Sequence, residues 1–90
     1  MLKSMDVLTY NLIYDNQSFI IDTFLVHEEH CMAIIYTEDS GYRDKYIGTS
    51  KFWIVGGRYN FRTLDCTCAK YDVQQITENL CDKIVNGGFY

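Results

Sequence analysis

Phe52-Trp53-Ile54-Val55-Gly56-Gly57-Arg58-Tyr59-Asn60-Phe61 is the stretch that decides the fold of this chain. Two glycines between runs of alternating polarity mark a two-residue β-hairpin turn. The favoured turns need positive φ at both central residues, and glycine reaches it without strain. A turn at Gly56 and Gly57 sets the register by arithmetic: Val55 faces Arg58, Trp53 faces Asn60 and Lys51 faces Arg62. Ile54 then faces Tyr59, and Phe52 faces Phe61, on the opposite side. The flanking strands are expected from about Lys51 to Val55 and from Arg58 to about Leu64.

The second set, Phe52, Ile54, Tyr59 and Phe61, is an obvious contribution to a core. The first set needs another explanation. Lys51 opposite Arg62 is a like-charge pair that costs a sheet some tenths of a kcal/mol. It persists comfortably if an anion or an acidic side chain lies nearby. Trp53 among cations can also hold them by cation–π contact. Such a face suits a protein partner or a nucleic-acid strand. The plainer expectation is that an acidic part of the chain or a helix covers Trp53 and neutralises the arginines.

Working towards the N-terminus, Cys31 to Thr37 reads as a strand that is apolar on both sides, with Met32, Ile34 and Tyr36 on one and Ala33 and Ile35 on the other. That pattern predicts a central strand covered twice. Phe19 to His27 is β-branched and aromatic, hence another strand. Val7 to Tyr14 alternates, with Leu8, Tyr10, Leu12 and Tyr14 together, and Asp15-Asn16-Gln17 supplies turn chemistry. Glu38 to Tyr46 is expected to be a polar loop around Gly41.

Towards the C-terminus the period changes. Val73, Ile76, Leu80 and Ile84, with Cys81 beside them, recur at helical spacing over roughly four turns. Asp72 and Gln75 make a capping-box arrangement, and Gly87-Gly88 supplies the stop. The expectation is one α+β domain over residues 1–90. It has a five-stranded, mainly antiparallel sheet with a single C-terminal amphipathic helix packed on one face.

Charge is sorted along the chain. From Ser4 to Tyr42 there are seven carboxylates and no Lys or Arg; Arg43 to Lys70 is mostly basic, and Tyr71 to Tyr90 is acidic again. A net charge of −4 argues against a general polyanion binder. The carboxylates beside turns, Asp15, Glu28, Glu29, Glu38 and Asp39, are best placed to steer the molecule onto a basic groove. Of these, Glu28, Glu29, Glu38 and Asp39 form the expected partner-binding set with Trp53, Arg58 and Arg62.

No apolar run is long enough to span a bilayer. Met1 to Asp6 lacks the layout of a secretory signal, so a cytoplasmic location and thiol cysteines are expected. His30, Cys31, Cys66 and Cys68 are the candidate zinc ligands. However, Cys66-Thr67-Cys68 is not the usual C-x₂-C knuckle, and His27-Glu28-Glu29-His30 lacks one residue of H-E-x-x-H. A Cys31–His nucleophile has only adjacency behind it, and Gly56-Gly57 precedes no helix that would cradle phosphate. Binding without chemistry is therefore expected, with no cofactor, no catalytic residues and no membrane partner.

In small size, acidity, aromatic richness and lack of a catalytic motif, the chain is similar in type to the small inhibitors that phages make, such as anti-CRISPR and anti-restriction proteins. The likeness attaches to no particular stretch. It implies a small acidic module that blocks a functional surface of a larger protein, with proteins that handle nucleic acid among the candidates. The alternatives are a nucleic-acid-binding module using Lys51, Trp53, Arg58 and Arg62, and a small zinc-binding domain. An exposed sheet edge also leaves a homodimer open.

Overall fold

The computed structural model describes residues 7–27, 30–67 and 69–87. Five strands precede one helix: β1 (Leu8–Tyr14), β2 (Gln17–His27), β3 (His30–Asp39), β4 (Tyr42–Val55), β5 (Arg58–Cys66) and α1 (Val73–Val85). The strands pair in chain order as an antiparallel meander, and α1 packs on one face of the sheet. This is the expected α+β architecture. Among the described residues no helix is long and apolar enough to cross a membrane.

Short left-handed turns make three of the connections. Asp15 and Asn16 (φ 54° and 62°), Ser40 and Gly41 (57° and 84°), and Gly56 and Gly57 (59° and 77°) all adopt positive φ. That backbone twist matches the strands it joins. Asp and Asn tolerate the conformation because a short polar side chain bonds locally. The Gly56-Gly57 hairpin has the register expected from its sequence, from Val55 opposite Arg58 to Lys51 opposite Arg62.

The expected loop over 38–46 is instead strand. β3 continues to Asp39 and β4 begins at Tyr42, with Glu38 opposite Arg43 and Thr37 opposite Lys45. Its polarity reflects a ribbon exposed to water, since Tyr42 to Lys45 are all exposed. A register shift between Ile35 and Tyr36 leaves Ile47 as the extra residue of β4, and that residue is wholly buried.

The core lies between the sheet and α1. Tyr10, Leu12, Phe19, Ile21, Ala33, Ile35, Ile47 and Phe52 meet Val73, Ile76, Leu80 and Cys81. Ile54, Tyr59 and Phe61 pack at its margin, as the hairpin register requires. Gly48 admits the helix: a Cβ there would stand 2.6 Å from Val73 Cγ2 and 2.7 Å from the Asp65 carbonyl. One buried polar contact joins the layers, with Thr77 Oγ1 2.6 Å from Ser50 Oγ and 2.8 Å from the Val73 carbonyl.

Asp72 caps α1 by accepting the Gln75 backbone N–H at 3.0 Å. Among the described residues the reciprocal half of the capping box is not made; the Gln75 side chain reaches forward along the helix, its Nε2 donating to Asn79 Oδ1 at 3.2 Å. At the other end Gly87 turns left-handed (φ 68°) and its N–H bonds the Ile84 carbonyl; Gly88 lies outside the described residues.

β3 is central, as its composition predicts, but double coverage does not follow. Met32, Ile34 and Tyr36 point away from α1 and are only half-buried. Their shelter comes from side chains of neighbouring strands, and among the described residues no second layer lies over them. The sheet therefore has one closed face and one bare face.

Candidate docking face

The cross-strand register assigns residues to the bare face. Period-two alternation gathers Ile20, Phe24, Met32, Ile34 and Tyr36 with Tyr46, Lys51, Trp53, Asn60 and Arg62. At the end nearest the Gly56-Gly57 turn, Trp53 lies opposite both Asn60 and His30. The His30 and Trp53 rings are 5.0 Å apart and tilted by 45°. Trp53 is consequently half-buried, neither sealed in the core nor fully exposed.

Lys51 stands between Met32 of β3 and Arg62 of β5. Arg58 and Arg62 are exposed, and Lys51 is half-buried. Among the described residues none of these three cations meets a carboxylate, and the salt bridge present joins Arg43 to Asp22. Among the described residues nothing supplies the neutralisation that a plain structural face would need. Beside Lys51 lies a depression of about 300 Å³ lined by Val26, His30, Met32, Lys51 and Leu64. Val26 and Leu64, both about half exposed, give it an apolar rim.

The other end of the same face is internally balanced. Arg43 Nε and Nη2 donate to Asp22 Oδ2 and Oδ1 at 3.1 and 2.6 Å, a bidentate pair. Thr9 adds a hydroxyl to Asp22 Oδ1 at 2.8 Å. The Arg43 guanidinium also lies 5.6 Å from the Tyr36 ring centroid. Hydrogen bonding to Asp22, then its charge, raises the pKa of Arg43 further above its ordinary value. Asp65 is occupied as well, accepting the Tyr46 hydroxyl at 2.5 Å. Burial, followed by that hydrogen bond, pushes the Tyr46 phenol up.

The structure divides the expected partner-binding set. Trp53, Arg58 and Arg62 come together with Lys51. Glu38 and Asp39 close the β3–β4 ribbon at the opposite end of the sheet, with Glu38 opposite Arg43 and Asp39 opposite Tyr42. Ten residues of β4 separate Arg43 from Trp53, on the order of 30 Å at strand rise. Glu28 and Glu29 lie outside the described residues. Sequence reading passed over Phe24, Met32 and His30 as docking residues. The available signal was the two-sided apolar character of β3, combined with the hairpin register.

Of the candidate zinc ligands, His30, Cys31 and Cys66 do not gather. Successive residues of a strand face opposite ways, so His30 joins the bare face while Cys31 packs against the core. Among the described residues no group of three or more His, Cys, Asp or Glu side chains converges; Cys68 lies outside them. Cys66 is exposed at the end of β5, with its sulfur 4.0 Å from the Tyr71 carbonyl. Burial raises the Cys31 thiol, opposite to what an activated nucleophile needs. Burial likewise drives the Cys81 thiol up to about 12.

No family model, curated protein or solved structure matches this chain.

Proposed function

We propose that this protein works by binding a larger protein, in the manner of a small phage-type inhibitor of the anti-CRISPR or anti-restriction class, and that the bare sheet face is its docking surface. The observation that carries this reading is the cluster of Lys51, Arg58 and Arg62 beside Trp53, with no carboxylate partner among the described residues. Cations left uncompensated next to aromatic and apolar side chains gain most when a partner covers them. The blocked surface belongs, on this reading, to a protein that handles nucleic acid. Glu38 and Asp39, at the far end, steer the approach by their charge.

Affinity capture from the native host tests the proposal when wild type is run beside an Arg58→Ala/Arg62→Ala double variant. The expected outcome is a protein retained by the wild type and lost from the variant, whose own nucleic-acid binding falls when the inhibitor is added. Equal retention by both would remove the face from the mechanism.

The same uncompensated cations favour a second reading, direct nucleic-acid binding by Lys51, Trp53, Arg58 and Arg62. It requires oligonucleotide binding that weakens with salt, with a smaller salt slope after loss of Arg58 and Arg62.

A further inference from the structure

We infer that the segment received at the Trp53 end of the bare face is a short acidic peptide stretch of the partner protein, carrying one aliphatic anchor. Its carboxylates meet Lys51, Arg58 and Arg62, and its anchor seats in the depression lined by Val26, His30, Met32, Lys51 and Leu64. The inference rests on the protein-binding reading and adds the chemistry of the partner.

Charge complementarity comes first. Lys51 and Arg62 are directly opposed across β4 and β5, a repulsive arrangement that carboxylates from outside would relieve. Arg58 stands at the hairpin end of the same strand, so the three cations form a short patch and not a long track. The patch is also bounded. Asp65 lies opposite Thr49 further along β4, on the same face, and Asp22 lies beyond it towards β1. A nucleic-acid strand extended past the cations would run onto these carboxylates, whereas a short acidic segment stops before them.

Shape points the same way. Base stacking needs a free aromatic face. The Trp53 ring is already packed at 5.0 Å by His30. The depression is bordered by branched and thioether side chains, Val26, Leu64 and Met32, which suit a Leu- or Ile-sized anchor. Burying such a side chain against this apolar rim is a source of affinity beyond charge.

The test uses fluorescence anisotropy with a synthetic peptide of Glu residues around a central Leu. Controls are the same peptide with Leu→Ser, the same peptide with every Glu replaced by Gln, and oligothymidine. The Glu/Leu peptide should bind wild type, and each peptide control should weaken binding by about tenfold or more, one carboxylate contact or one anchor accounting for that factor. Lys51→Glu in the protein gives the decisive readout. It should abolish peptide binding while leaving the melting temperature unchanged or higher, since the substitution turns a like-charge cross-strand pair into an opposite-charge one. A purely structural role for Lys51 would not separate binding from stability in this direction.

Gln-peptide binding equal to that of the Glu peptide overturns the inference, as does Lys51→Glu binding the peptide normally. Oligothymidine binding tighter than any peptide overturns it in favour of nucleic acid. Should no peptide bind while host capture still depends on Arg58 and Arg62, the partner chemistry fails and the protein-binding reading stands. Loss of both sinks both.

Discussion

The two faces of the sheet are made by the same strands and obey the same alternation, yet they have opposite fates. On one, Ile21, Ala33, Ile35 and Phe52 are closed over by Val73, Ile76, Leu80 and Cys81 of α1. On the other, Ile34, Tyr36 and Trp53 stop at half burial, and among the described residues Lys51 and Arg62 meet no carboxylate. The covered face is largely apolar, its buried polar groups being the hydroxyls of Thr23, Thr37, Ser50 and Thr77 among the described residues. The bare face mixes aromatics, aliphatics and charge. The packing that α1 contributes therefore lies on one side of the sheet, and the other is the side proposed for docking.

The sharpest way to break this contrast is truncation on each side. Leu80→Ala removes a wholly buried side chain and should cost about 2–5 kcal/mol in denaturant unfolding. Ile34→Ala, on the bare face, should cost only about 1 kcal/mol, because the side chain is partly exposed and no helix packs on it among the described residues. Similar losses would mean that something covers the bare face in solution.

Alkaline pH probes the covered side next. Cys81 rises to about 12 chiefly through burial, and Tyr59 rises to about 12 chiefly through its hydrogen bond to Asp82. Both groups keep their protons more tightly in the folded state than in the unfolded one. Their contribution is complete below the ordinary thiol and phenol values of 9.0 and 10.0, and is lost as pH climbs towards 12. The melting temperature should therefore fall across that window, and Cys81→Ala should make the fall shallower.

Smaller effects mark the borders of the closed layer. Asp72→Ala leaves the Gln75 N–H without its cap and should cost about 1 kcal/mol. Thr63 Oγ1 is enclosed without a hydrogen-bond partner among the described residues, so Thr63→Val should gain up to about 1 kcal/mol. On the bare face, Lys51→Glu should stabilise by some tenths of a kcal/mol through pairing with Arg62, the smallest shift of the series. Destabilisation there would show that Lys51 already has a partner.

The hairpin at Gly56 and Gly57 could be read residue by residue because a two-residue left-handed turn leaves one register open to the strands it joins. The helix was legible for an equally local reason, since Val73, Ile76, Leu80 and Ile84 lie on one side at helical spacing. Residues 38–46 were misread. Charged side chains around a glycine look like a loop, but here they belong to a twisted ribbon wet on both sides, whose backbone bonds are made across Asp39 and Tyr42. The reciprocal capping contact was misread as well: the Gln75 side chain reaches forward to Asn79, one turn along the helix.

Sequence alone determined the helix, the register of the Gly-Gly hairpin and the side of its two strands on which a residue falls, because these depend on spacing and on backbone sterics within a few residues. Tertiary structure decided what spacing cannot encode: that one helix covers one face only, that Asp22 neutralises Arg43 while Lys51 and Arg62 meet no carboxylate among the described residues, and that Glu38 and Asp39 stand at the end opposite Trp53. Those outcomes depend on which residues distant in the chain meet across strands and layers. Coulombic and packing energies act over a few ångströms of space, however many residues of chain lie between the groups.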